Sequence, residues 1–269
     1  MTRRTRRSVA GSVLVVLGLV IGAVIVTALQ AEGRERSKAN TNDGGAWLLK
    51  RDAGYVGHVN REVGEVTAAV SVADPGSDFD VDQAPGIIVV HDRTTGLVTV
   101  VDDSVERIAN PAGVRVSQDV SVHAVEGGAL IVDRASMNVW KLTREELLTV
   151  ASTDEFEPVL TGEGGTRAAV LPDGHAVLAD EAGKGVVFLE PDGDTDTSPE
   201  IDLSDEVVSI TALGTERAVL ADPDGDLVVA TPGSARALDR SVTGAGGEPT
   251  PVVLQQPGAD ASEVVAATT

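Results

Sequence analysis

Three aspartates at alternate positions, Asp192, Asp194 and Asp196 in EPDGDTDTSPE, have the type and spacing with which a calcium loop begins. A hard cation takes several oxygens at once, and the first, third and fifth loop positions supply the first of them. The rest of that pattern is missing. The sixth position is Thr197 where a glycine belongs, and the twelfth is Leu203 where a bidentate Glu belongs. The segment therefore reads as a solvated loop, and no metal is assigned to it. Asp222, Asp224 and Asp226 surround Gly225, and a tight hairpin accounts for all three. His58, His91, His123 and His175 are scattered, each in or beside a predicted strand, and none stands in an HExxH pattern. The chain has no GxSxG, no phosphate-binding P-loop and no Rossmann fingerprint. Glycoside cleavage needs only two carboxylates, but nothing raises one Asp or Glu above its neighbours in so acidic a chain. No catalytic residue and no cofactor is expected.

The elements that position these residues show a beat. Five apolar runs each meet an acidic turn and then a second apolar run. The runs are 47–51, 87–91, 129–132, 176–179 and 218–221, and the aspartates that follow are Asp52, Asp92, Asp133, Asp180 and Asp222. Their separations are 40, 41, 47 and 42 residues. Branched residues favour strands, while Asp bonds back to turn amides and Gly or Asn accepts a positive φ. Gly54, Gly96, Asn138, Gly185 and Gly225 take that last role. Further strands are predicted at 63–72, 114–125, 166–171 and 207–213, giving about four strands per unit. A period of about 40–50 residues with several strands points to a β-propeller. The predicted fold is all-β, with five to six propeller-like blades after one N-terminal helix. Two immunoglobulin-like sandwiches are the rival, and they carry no such shared beat.

One segment departs from this pattern. Thr143 and Glu146 form a capping-box signature, which predicts a short helix over 142–148 between blades. At the other end, 251–254 and 263–267 begin a sixth unit, and the expectation is a ring that continues beyond Thr269. Trp47 and Trp140 are expected between blades as core.

Residues 9–29 contain no charge. As a helix, 21 residues reach about 32 Å, enough for a hydrocarbon core of about 30 Å. Arg3, Arg4, Arg6 and Arg7 precede the span. Positive charge stays inside, so 1–8 is read as a cytoplasmic tail and 46–269 as an extracellular domain, joined by a polar linker over 30–45. The run is longer than a signal peptide's apolar region, and the exit Leu29-Gln30-Ala31 is a poor cleavage site, so an uncleaved anchor is expected. Gly18 and Gly22 form a GxxxG pair, which glycine-rich spans carry even without dimerising. The net charge is −21, and the first 30 residues hold no acid, so the outer part is more acidic still. Such a surface repels nucleic acid and anionic lipid. The chain has no cysteine, so burial alone must hold the domain together.

The entry to the first unit, Asn42-Asp43-Gly44-Gly45-Ala46-Trp47-Leu48-Leu49 followed by GHVNREVGEV over 57–66, resembles a known pattern. It is similar to the N-terminal region of large bacterial surface proteins with a membrane anchor and a propeller-like region, followed by fibronectin type III or immunoglobulin-like domains. The resemblance implies sandwich domains beyond Thr269, a surface or adhesion role, and no catalytic motif to carry over. The expected function is a non-catalytic interaction scaffold of the cell surface, with a protein or cell-wall partner. The alternative is an extracellular propeller enzyme, a glycan hydrolase or quinoprotein-like oxidoreductase.

Overall fold

The structure is a computed structural model that describes residues 45–60, 64–102, 107–162, 165–180, 185–201, 207–241, 252–255 and 266–268. All lie in the second of the chain's two units, Lys38–Thr269. The predicted tail, the span 9–29 and the linker up to residue 44 fall outside the described residues. Among the described residues, no helix is long and apolar enough to cross a membrane.

Six antiparallel sheets follow one another along the described chain. The first holds β1 (Gly45–Lys50), β2 (Tyr55–Asn60) and β3 (Glu65–Ser71). The second holds β4 (Phe79–Ala84), β5 (Ile87–Asp92) and β6 (Leu97–Asp102), with the short β7 (Arg107–Ile108) and β8 (Val114–Arg115) both paired to β6. The third is β9 (Val120–Val125), β10 (Gly128–Asp133) and β11 (Val139–Thr143). The fourth runs from β12 (Thr166–Val170) through β13 (Ala176–Asp180) and β14 (Val186–Leu189) to β15 (Thr195–Thr197). The fifth contains β16 (Ser209–Ala212), β17 (Ala218–Ala221), β18 (Asp226–Thr231) and β19 (Ser234–Ser241). A sixth pairs β20 (Val252–Leu254) with β21 (Ala266–Thr268).

Strand alternation explains how the sheets stack. Successive side chains of a strand point to opposite faces, so a strand covered on both faces is buried at every position and mostly apolar. β5 is buried throughout. Ile88 and Val90 pack with Trp47, Val56 and Val70 of the first sheet. Ile87 and Val89 face the other way, onto Ala129 and Ile131 of the third. β10 divides likewise, its Leu130 and Val132 meeting Ala176 and Leu178 of β13. Val177 and Ala179 then pack with Ala218 and Leu220 of β17, and Val219 and Ala221 with Leu254 of β20. Five apolar layers thus separate six sheets. Each fully buried Val, Leu or Ile contributes about 1.5–3 kcal/mol. The first sheet has one face outside this stack, where Leu48, Tyr55 and Val66 are exposed.

The predicted capping box is present. Glu146 N–H donates to Thr143 Oγ1 at 3.3 Å, and Thr143 N–H donates to Glu146 Oε2 at 2.7 Å. The helix, α1 (Arg144–Thr149), starts two residues later than predicted, because Leu142 is a buried residue of β11 in the layer between the second and third sheets. Leu147 drops into the same layer.

Other expectations need correction. The predicted strand over 114–125 is two strands of different sheets, since β8 pairs with β6 while β9 pairs with β10. Gly45 belongs to β1 and not to a linker. The first strand of the second sheet, β4, was not expected, nor were β15 and β19. Units of about four strands describe the fourth and fifth sheets, while the first and third have three.

Candidate functional site

Charged residues collect at three turns, β1 to β2 in the first sheet, β5 to β6 in the second and β10 to β11 in the third. Lys50 pairs with Tyr55, and Asp92 pairs with Leu97. In the third sheet Asp133 N–H donates to Asn138 O at 2.9 Å. Arg51, Arg93 and Arg134 therefore each open an equivalent four-residue turn. Each turn closes on a residue in the left-handed region: Gly54 at φ +70°, Gly96 at +67° and Met137 at +55°. Asn138 was expected in that role, but Met137 fills it and Asn138 pairs with the strand. The register also shows that Lys50, not Asp52, matches Asp92 and Asp133. Asp52 is an exposed residue inside the turn.

Three aspartates of the beat, Asp92, Asp133 and Asp222, hold their turns as expected. Asp92 Oδ1 accepts the N–H of Thr94 at 2.9 Å, and Asp133 Oδ1 that of Ala135 at 2.9 Å. Buried Asp222 accepts from both Asp224 and Asp226, at 3.0 and 2.9 Å.

The arginines reach a second set of carboxylates, at the entry to the first strand of a sheet. Asp78 precedes β4 by one residue, and Asp119 precedes β9 by one. Arg93 N–H donates to Asp78 O at 2.8 Å, and Arg134 N–H to Asp119 O at 3.0 Å. The side chains repeat the pairing: Arg93 Nη1 lies 3.5 Å from Asp78, and Arg134 Nη2 lies 2.9 Å from Asp119. Arg51 instead crosses to the next sheet. Its Nε donates to Phe79 O at 3.0 Å and its Nη2 to Asp80 Oδ1. Asp80 Oδ2 meanwhile accepts from Arg93 Nη2, so its carboxylate sits between two guanidinium groups.

This matching fails at the fourth sheet. Phe79 pairs with Asp92 and Thr166 with Asp180, so β4 and β12 are in the same register. Gly165 thus stands where Asp78 stands, and Arg167 where Asp80 stands. Thr166 N–H donates to Arg134 O at 2.7 Å, which sets this entry beside the arginine. A cleft of about 490 Å³ opens there, lined by Asp119, Arg134, Ala135, Gly165 and Arg167. Arg134 Nε is buried and has no hydrogen-bond partner, and neither has buried Ser136 Oγ in the same turn. A buried polar hydrogen left unbonded costs about 1–3 kcal/mol.

Two histidines lie near this end. His91 is 4% exposed and its pKa is pushed down to about 4, chiefly by burial and then by the charge of Arg93. His123 is lowered too, by burial first, with Asp82 opposing and Arg134 adding to the shift. Both imidazoles are neutral at pH 7. The other two serve the framework. His58 Nδ1 lies 2.8 Å from Thr67 Oγ1, its ring tilted against Trp47 at 5.3 Å. His175 Nε2 lies 2.7 Å from Glu190, and its Nδ1 is 3.1 Å from Asp173 without the alignment of a hydrogen bond.

Asp192, Asp194 and Asp196 lie elsewhere, in and after the turn from β14 to β15. Asp192 spends Oδ1 on the N–H of Asp194 at 3.1 Å, and Asp196 lies on exposed β15. Among the described residues, no three His, Cys, Asp or Glu side chains are placed to hold a metal ion. The arginine turns were not anticipated, yet a signal existed. Arg51, Arg93 and Arg134 are 42 and 41 residues apart, and Asp78 and Asp119 are 41 apart. Trp47 is buried, while half-buried Trp140 donates Nε1–H to Phe156 O at 3.3 Å.

No protein-family model matches the chain, and no curated protein matches it. Solved structures do. The chain is similar to virginiamycin B lyase from Staphylococcus aureus, with a TM-score of 0.57 and 10% identity over 85% of this chain and 75% of that one. It is similar to U3-55K, with a TM-score of 0.57 and 13% identity over 88% and 76%. Hsv2 from Kluyveromyces lactis gives 0.57 and 11% over 84% and 68%. These neighbours are β-propeller proteins, and they include both enzymes and proteins that are not enzymes. The fold is therefore all-β and propeller-like, as the beat predicted. The likeness carries the fold and no activity.

Proposed function

We propose that this chain is a membrane-anchored scaffold of the bacterial cell surface, whose propeller-like domain presents an interaction surface and performs no catalysis. The sequence supports the location: an uncharged stretch over 9–29 follows four arginines, and an acidic domain follows the stretch. The observation that carries the reading is how the turn end is built. Arg51 and Arg93 are committed to Asp78 and Asp80, and Arg134 to Asp119. Arginine does not give up its proton, and these carboxylates already have guanidinium partners, so the groups suit recognition better than proton transfer. The side chains of Asp78 and Asp119 are 62% and 64% exposed, so the turns offer a polar relief held by rigid strands.

Protease shaving of intact bacteria producing the full chain tests the location. The domain is expected to be clipped from whole cells while a cytoplasmic marker survives. A domain cut only after lysis would overturn the reading. Hydrolysis of a glycan by the purified full chain would overturn the non-catalytic part of it.

A further inference from the structure

We propose that the cleft between the third and fourth sheets binds an oxyanion, a carboxylate or phosphate group, through the guanidinium of Arg134. The comparison within the molecule carries this. Arg51 and Arg134 open equivalent turns, and each faces the entry to the next sheet's first strand. Arg51 finds Asp80 there and bonds Phe79 O through Nε. Arg134 finds Gly165 and Arg167, and its Nε–H, though buried, bonds nothing. The place of one carboxylate is taken by a residue without a side chain, and that of the other by a positive charge.

Guanidinium presents its N–H groups as a planar fork that matches two oxygens of a carboxylate or phosphate. Asp119 takes only Nη2 of Arg134, at 2.9 Å. The Nε–H, buried and unbonded, is the part of the fork that lacks a partner, and an anion that settles against it has to enter from the cleft. The cleft beside it is lined by the small residues Ala135 and Gly165 and by a second guanidinium, Arg167. Ser136 Oγ is a further donor in the turn. On a chain of net charge −21, an anion meets repulsion over most of the surface, so a cleft lined by two arginines stands out as its landing place. The oxyanion takes the role beside Arg134 that Asp80 plays beside Arg51. The proposal goes beyond the scaffold reading and does not depend on where the cell places the chain. Shaving can fail while an anion still binds.

The test titrates the full chain at pH 7 with inorganic phosphate and, separately, with acetate, holding ionic strength constant with sodium chloride. The backbone N–H resonances of Ala135 and Gly165 are followed by NMR. A saturable shift in the millimolar range is expected, and the anion that saturates first names the group. Arg134→Gln should abolish it. Asp119→Asn removes the competing carboxylate and should tighten binding about fivefold. Arg167→Asp places a carboxylate where Asp80 stands in the second sheet and should also abolish binding. A shift that rises without saturating, or that chloride reproduces, would overturn the proposal. So would an Asp119→Asn variant that binds no better than the parent. If Arg134→Gln fails to fold, Asp119→Asn and Arg167→Asp decide the matter.

Discussion

Asp82 Oδ2 accepts the backbone N–H of Ala124 at 3.0 Å, joining the first strand of the second sheet to the first strand of the third. Most of what holds one sheet to the next is apolar and without direction. This bond has a direction, and it fixes how far one first strand slides along its neighbour. A hydrogen bond to a charged acceptor contributes about 1.5–3 kcal/mol. Asp82→Ala is expected to lower stability by about that amount, read as a fall in the urea midpoint at unchanged slope. The same change removes the carboxylate that raises His123, so the His123 pKa should fall further, which an imidazole titration by NMR would show.

His91 makes the protein sensitive to acid. Its ordinary pKa is 6.5 and in the folded state it is about 4, so below pH 6.5 the unfolded chain binds a proton that the folded one refuses. Its contribution is complete above pH 6.5 and is lost as pH falls toward 4. The loss is at most about 3 kcal/mol. Urea melts at pH 7, 5.5 and 4 should show it, and His91→Gln should flatten that part of the profile.

Gly54 and Gly127 have nearly the same backbone, φ +70° and +77°. Their surroundings differ. A Cβ on Gly54 would lie 2.1 Å from Ala73 O, while one on Gly127 meets nothing within 4 Å. Gly127→Ala is expected to cost about 1–2 kcal/mol, the price of the left-handed conformation alone. Gly54→Ala should cost clearly more, because the connection from β3 toward β4 has to move. Thermal melts of the two variants side by side test the difference.

Leu48, Tyr55 and Val66 are 50%, 42% and 54% exposed on one face of the first sheet. None of them belongs to the five apolar layers. Leu48→Lys and Val66→Thr should therefore change stability by less than about 0.5 kcal/mol while raising solubility. A melting temperature lowered by many degrees would show that this face is covered.

The middle strands were legible in the sequence because both their faces are buried. Ile87-Ile88-Val89-Val90 has no polar residue to interrupt it, and neither does Ala129-Leu130-Ile131-Val132. β4 was not legible because its polar residues serve contacts that its own sequence does not show. Asp80 holds two arginines, Asp82 holds Ala124, and Gln83 Oε1 accepts the N–H of Trp47 at 3.3 Å. A strand with Asp at alternate positions reads as a loop until its partners are known. The arginine turns were hidden for a related reason. Arg51 and Asp80 are 29 residues apart, and only the fold makes them neighbours. Asp92 and Asp133 brace their own turns, and each stands one residue before an arginine that reaches outward.

Alternation along the middle strands has a genetic consequence. Each of β5, β10, β13 and β17 is a party wall, with odd residues furnishing one room and even residues the other. Deleting a single codon within such a wall would swap its furniture between rooms. The same deletion in β15, exposed along its whole length, would disturb neither. Length variation among natural versions of this chain should therefore gather in outer strands and turns, and spare the walls.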